Sequence, residues 1–148
     1  MHELILGSGW AGVYGAFALG AIGSIIGCAV AGQAAIGTMV DVESGYGRYI
    51  GVSVMPSSQV VYGIVVMFSL QRELTADTAP ALFGIGIFCG LALMFSAIRQ
   101  GQTCASAIHA AKIKPEIFGL SLAPAAIVEG FAVFAFVFAL VLAGRIAA

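Results

Sequence analysis

A single carboxylate, Glu129, stands in an apolar run from about Ile117 to Gly144, and no other charge lies between Glu116 and Arg145. A charged side chain at the centre of a bilayer costs roughly 2.5–3.5 kcal/mol on insertion scales. A residue kept there at that cost faces a partner helix or an ion pathway, so the chemical question is what Glu129 binds. The stretch Met55-Pro56-Ser57-Ser58-Gln59-Val60-Val61-Tyr62 offers candidates from a second apolar run. Met55 and Gln59, and Ser58 and Tyr62, are four apart, and Gln59 and Tyr62 are three apart, so the four share one helix face. Pro56 has no N–H and disrupts the backbone ladder, which frees nearby carbonyls, including that of Met55, to turn toward a ligand. Gln100 adds an amide from a third run.

These groups amount to one carboxylate, two amide oxygens, a hydroxyl and a loosened carbonyl. An all-oxygen set with one negative charge suits a hard monovalent cation. It lacks the extra carboxylates that calcium recruits and the His or Cys that zinc prefers. Sodium fits by charge balance, whereas a proton needs only the carboxylate and a dry setting. The plainer alternative is that Ser58, Gln59 and Gln100 hold helices together by hydrogen bonds.

The elements that must position these residues are membrane helices. The chain of 148 residues is 61% hydrophobic and 9% charged, with a mean hydropathy of +1.07. Soluble domains carry about 25% charged residues. Four apolar segments run from about Trp10 to Met39, Tyr49 to Leu70, Ala79 to Ala111, and Ile117 to Gly144. Each reaches the roughly 20 residues that a membrane helix needs; the first and third are longer and project past the bilayer or tilt. The expected fold is an all-α membrane protein of four transmembrane helices. The connections are too short for a soluble domain.

The two halves resemble duplicated hairpins, residues 1–74 and 75–148. Gly32-Gln33 matches Gly101-Gln102, and Gly15 matches Gly84, at an offset of 69; Gln59 falls on Glu129 at an offset of 70. Only the second half keeps the carboxylate. Small residues recur every four positions along the first segment on two faces, Gly12-Ala16-Gly20-Ser24-Cys28 and Gly15-Leu19-Gly23-Gly27-Ala31. Such spacing lets helix backbones approach closely in lipid. Ordinary pairing within one chain would use it; two rich faces favour a tighter arrangement, such as the inner wall of a ring.

Other features exclude rather than point. A net charge of −1 gives no hint of nucleic acid. Cys28, Cys89 and Cys104 form no CxxC pair and read as unreactive core thiols. Ile25-Ile26-Gly27-Cys28 loosely resembles a lipoprotein cleavage box, but no Lys or Arg precedes it, so no signal peptide is expected. His2 and His109 are not spaced as metal ligands and no nucleophile–base set is visible, so enzymatic activity and an organic cofactor are not expected. Arg48, Lys112 and Lys114 against Arg72 and Arg145 bias the first and third loops toward the cytoplasm.

The chain resembles the ring-forming proteolipids of V-type and A/V-type rotary ATPases over nearly its whole length. The most specific part resembles the sodium-binding members, which carry Leu-Pro-Gly-Thr-Gln-x-x-Tyr in the second helix and a Gln-Gly pair 29 residues before the Glu. Here Met55 to Tyr62 and Gln100-Gly101 stand in those places. The resemblance implies that Met55 offers its main-chain oxygen, that Ser58, Gln59, Gln100 and Glu129 offer side-chain oxygens to Na+, and that Tyr62 hydrogen-bonds the carboxylate. Ser58 keeps the hydroxyl of the Thr it replaces, and Ser57 replaces a Gly. Arg99 is a less expected neighbour, and we expect it to point away, toward a ring interior or lipid headgroups.

What the resemblance implies is a non-catalytic, ion-carrying subunit, translocating Na+ or H+, assembled as a homo-oligomeric ring in a prokaryotic cell membrane. Its partners would be a stator subunit with an Arg, the central-stalk subunits of the ATPase, and lipid. Two other readings are a small proton-coupled secondary transporter and a structural four-helix membrane protein.

Overall fold

A computed structural model describes residues 1–146. It is all-α. The first span is one helix, α1 (His2–Val40), and the third is one helix, α4 (Ala79–Ile113). The second span is broken into α2 (Tyr46–Ser53), a 3-10 turn (Met55–Ser57) and α3 (Ser58–Ser69). The fourth span consists of a 3-10 turn (Pro115–Ile117), α5 (Phe118–Ser121) and α6 (Ala123–Ala143). All four spans are long and apolar enough to cross a membrane. At 1.5 Å per residue, α1 with 39 residues and α4 with 35 exceed the roughly 30 Å of a hydrocarbon core, so both project beyond it.

The span limits differ from those expected at two places. Helix α1 begins at His2 rather than near Trp10, and carries Gly7 and Gly9 within its first turns. The fourth span is interrupted as well as the second: proline stands near the start of α6 at Pro124, as it does in the turn at Pro56. A proline removes one backbone donor and crowds the preceding turn, so each outer span restarts as a new helix at that point.

The small residues of α1 have two partners inside the chain, α4 and the second span. A Cβ on Gly12 would strike the backbone at Leu82 and Phe83, one on Gly15 would meet Ile87, one on Gly23 the backbone of Met94, and one on Gly27 the Ala97 carbonyl. The contacts advance in the same direction on both helices, so α1 and α4 run parallel. Toward the second span, Gly20 lies against the Gln59 carbonyl, and Gly63 of α3 lies against the Ala16 carbonyl. Within one chain, then, the small residues of α1 take up close backbone packing, the ordinary pairing that the sequence also allowed. A bundle of four spans already supplies α1 with those two neighbours.

Two apolar clusters form the core. One gathers Val66, Leu70, Leu82 and Leu93 with Ala132 and Ala139, and the other gathers Tyr49, Val52, Cys104, Ile108 and Ala125. At the second cluster's end, Arg48 lies over the rings of Tyr49 and Phe118 and so joins the second span to the fourth. Lys112 Nζ and Asp41 pair at 2.5 Å, linking the first and third loops at that same end. The outer face of α6 presents Ile127, Phe131, Phe134 and Phe138 to the surroundings, the apolar stripe expected of a helix facing lipid.

Candidate functional site

The break in the second span, the middle of α4 and the middle of α6 meet, and their polar side chains form one hydrogen-bonded network. Gln59 and Gln100 are both completely buried. Buried amides in an apolar bundle must be satisfied by other protein groups, and these two satisfy each other: Gln59 Nε2 donates to Gln100 Oε1 at 2.9 Å. Gln100 Nε2 then donates to Glu129 Oε2 at 3.1 Å. The Tyr62 hydroxyl donates to the other carboxylate oxygen, Oε1, at 3.1 Å. The Tyr62 ring is held in place by stacking on Phe136 at 5.1 Å.

The Ser58 hydroxyl lies 3.2 Å from the Met55 carbonyl oxygen and 3.2 Å from Gln59 Oε1. One hydroxyl carries one proton and can serve only one of those two oxygens at a time. Lone pairs are therefore in surplus at Met55, Ser58 and Gln59. The proline break makes this geometry. With α2 ended at Ser53 and α3 begun at Ser58, the Met55 carbonyl sits in a turn of 3-10 geometry beside the Ser58 side chain.

All six residues singled out from the sequence, Met55, Ser58, Gln59, Tyr62, Gln100 and Glu129, thus fall in one network. Arg99 does not join it. Its Nη1 donates to Gln102 Oε1 at 3.0 Å, and both side chains are exposed. They line a groove of about 630 Å³ with Thr103, Ser106, Pro124 and Val128.

Three supporting groups were not foreseen. Ser96 accepts from Gln59 Nε2 at 3.4 Å and donates to the Val128 carbonyl at 2.9 Å, joining α4 to the residue before Glu129. The Ala125 carbonyl accepts from Gln100 Nε2 at 3.4 Å. Ser24 of α1 accepts the Val60 N–H at 3.1 Å, just past the break. Ser96 stands four residues before Gln100 and so shares its face, a spacing that could have flagged it; Ser24 was visible only as a small residue in the glycine pattern. Among the described residues no three His, Cys, Asp or Glu side chains gather as a metal-binding group.

Fold and site together define an integral membrane protein of four spans with one carboxylate held by amides and a phenol among packed helices. The sequence profile of the ATP synthase C-subunit family matches residues 6–70 and 83–142, and the chain belongs to that family. Among curated relatives, the A-type ATP synthase subunit K of Methanocaldococcus jannaschii is 33% identical over 141 residues, which cover 91% of this chain and 63% of the relative. The chain thus spans less than two thirds of that relative's length. The V-type sodium ATPase subunit K of Enterococcus hirae is 28% identical over 125 residues, covering 82% of this chain and 80% of the relative.

Proposed function

We propose that the chain is the ion-carrying rotor subunit of a membrane-embedded rotary ATPase, and that Glu129 carries Na+. The observation that carries this reading is that the Glu129 carboxylate lies beside Gln100 and Tyr62, with the surplus oxygens of Met55, Ser58 and Gln59 in the same network. The name of the Enterococcus hirae relative, a sodium ATPase subunit, supports sodium as the ion.

Met55 would supply its main-chain oxygen, and Ser58, Gln59, Gln100 and Glu129 their side-chain oxygens. A half-turn of either glutamine amide exchanges its N–H for its oxygen. Gln100 can therefore offer Oε1 toward the carboxylate when a cation sits between them. Tyr62 keeps Glu129 Oε1 in place during the exchange. With one carboxylate and one monovalent cation, the loaded site is neutral and can face lipid, whereas the empty site leaves a charge that is costly there.

Several copies would form a ring, each loading and releasing its ion at a stator subunit whose Arg displaces the cation from Glu129. Rotation would couple this to ATP hydrolysis or synthesis in other subunits, through central-stalk subunits, so the chain itself is non-catalytic. The halves 1–74 and 75–148 are read as two copies of one hairpin, and the membrane as that of a prokaryotic cell.

Carbodiimide labelling of Glu129 tests the ion. A protonated carboxyl passes its proton to the carbodiimide nitrogen and adds through oxygen to its carbon, and bound sodium would keep Glu129 ionised and shielded. Labelling should fall as sodium rises at fixed ionic strength. Labelling that follows pH and ignores sodium would make the ion a proton and leave the oxygen groups as helix-packing contacts.

A further inference from the structure

Two thiols and a thioether that the oxygen network leaves aside gather at the break in the second span. Cys104 Sγ, on α4, lies 3.9 Å from Met55 Sδ. Cys28 Sγ, on α1, lies 4.0 Å from the main-chain oxygen of Val54, the residue before Met55. Two helices thus aim a thiol at one turn from different sides, and the turn answers with a sulfur of its own. Cys104 is fully buried, Cys28 is half-exposed, and both are free thiols. Cys89, the remaining cysteine, is elsewhere, 3.7 Å from the Ala135 carbonyl oxygen.

We propose that Cys104, Met55 and Cys28 form a binding site for a soft monovalent cation of the copper(I) or silver(I) class. Thiolate and thioether sulfur are the ligands that select such ions, while hard ions prefer oxygen. Two sulfurs 3.9 Å apart can each bond an ion set off the line between them at about 2.3 Å, the length of a metal–thiolate bond in zinc sites. That arrangement is bent and leaves a third direction open at the turn that Cys28 also approaches.

Charge balance suits the apolar surroundings. The ion displaces the Cys104 thiol proton, which leaves to water, and the cation–thiolate pair is neutral. Met55 adds a neutral ligand. The half-exposed Cys28 provides the entry path from the protein surface.

A bound ion would join α1 and α4 to the turn whose main-chain oxygen at Met55 meets Ser58. Such a clamp would hold the second-span break in one geometry and slow any movement of that carbonyl.

The test uses the full chain purified in detergent, silver(I) nitrate as the probe, and a chloride-free buffer. One silver per chain should co-elute with the protein, and maleimide labelling of the half-exposed Cys28 should fall. Cys104→Ala should lower silver affinity about 100-fold or more, since even outer-shell changes cost 10–100-fold. Cys89→Ala should leave affinity unchanged, and a loss there instead would place the metal at Cys89 and overturn the proposal. Unchanged affinity in the double variant Cys28→Ala, Cys104→Ala would overturn it too. If that variant fails to fold, Met55→Leu decides, because it keeps the main-chain oxygen and a similar volume; it should weaken silver binding, and unchanged affinity rejects the site. Silver binding is read without sodium, so its failure leaves the rotor reading intact.

Discussion

The Tyr62 hydroxyl donates to Glu129 Oε1 at 3.1 Å across the gap between the second and fourth spans, while its ring stacks on Phe136 of the same span as Glu129. The ring and the hydroxyl therefore have separable roles. Tyr62→Phe keeps the stacking and removes one hydrogen bond to a charged group, worth about 1.5–3 kcal/mol. The variant should fold normally and need roughly 10- to 100-fold more sodium to protect Glu129 from carbodiimide, following from that energy. An unchanged sodium requirement would mean the phenol does not hold the loaded carboxylate.

The two glutamines should differ when replaced. Gln100→Leu strips a donor from the Glu129 carboxylate and leaves Gln59 Nε2 with Ser96 alone at 3.4 Å. Gln59→Leu removes the donor to Gln100 Oε1 but leaves Gln100 Nε2 bonded to Glu129 and Ala125, so the carboxylate keeps its partner. Each buried polar group left unpaired costs about 1–3 kcal/mol. Both variants should lose sodium affinity, with Gln100→Leu also showing the larger fall in thermal midpoint. Equal midpoints would mean that the network gives Gln100 no greater share of the stability.

Lower pH should weaken sodium protection, because a proton and a sodium ion compete for one carboxylate. Where the proton dominates, each unit of pH should raise the sodium needed for half-protection by up to about tenfold, the factor that one pH unit represents. Sodium titrations of carbodiimide labelling at several pH values measure this. Half-protection independent of pH would show that the two ions do not share Glu129.

Glycines divide into those that face backbone and those that face open space. A Cβ on Gly27 would overlap the Ala97 carbonyl, and one on Gly101 would overlap the backbone of Gly27. Nothing lies within 4 Å of a Cβ placed on Gly84 or Gly130. Gly27→Ala and Gly101→Ala should each destabilise by about 1–3 kcal/mol or more through overpacking. Gly84→Ala and Gly130→Ala should be neutral or stabilise by up to about 1 kcal/mol through helix propensity. Thermal unfolding in detergent compares the pairs, and equal effects in both would mean that the α1–α4 approach does not limit the fold.

The Lys112–Asp41 pair is 2.5 Å long yet more than a third exposed on both sides. Solvent screening leaves such a pair about 0–1 kcal/mol. Asp41→Asn should therefore shift the thermal midpoint little. A large loss would show that this pair, rather than Arg48 between Tyr49 and Phe118, joins the loops at that end.

The count of spans was legible in the sequence, and Glu129, Gln59, Gln100, Ser58, Met55 and Tyr62 stood out there as candidates, because membrane burial is a cost written in composition. Any polar group in an apolar run stands out against its neighbours, and helical spacing says which of them share a face. Spacing also exposed the break at Pro56, since proline lacks a donor wherever it stands. The partner of each glycine face was not legible. Gly12 to Cys28 reads the same whether a helix of the same chain or of another copy fills the groove, and only the packed bundle shared the small residues of α1 between α4 and the second span. The Ala125 and Val128 carbonyls were equally hidden, because every residue carries that oxygen and sequence does not say where a main chain points. Ser24 and Ser96 gained their roles from the same source: a hydroxyl acquires a partner only when tertiary contact brings a backbone amide, a carbonyl or a glutamine within reach.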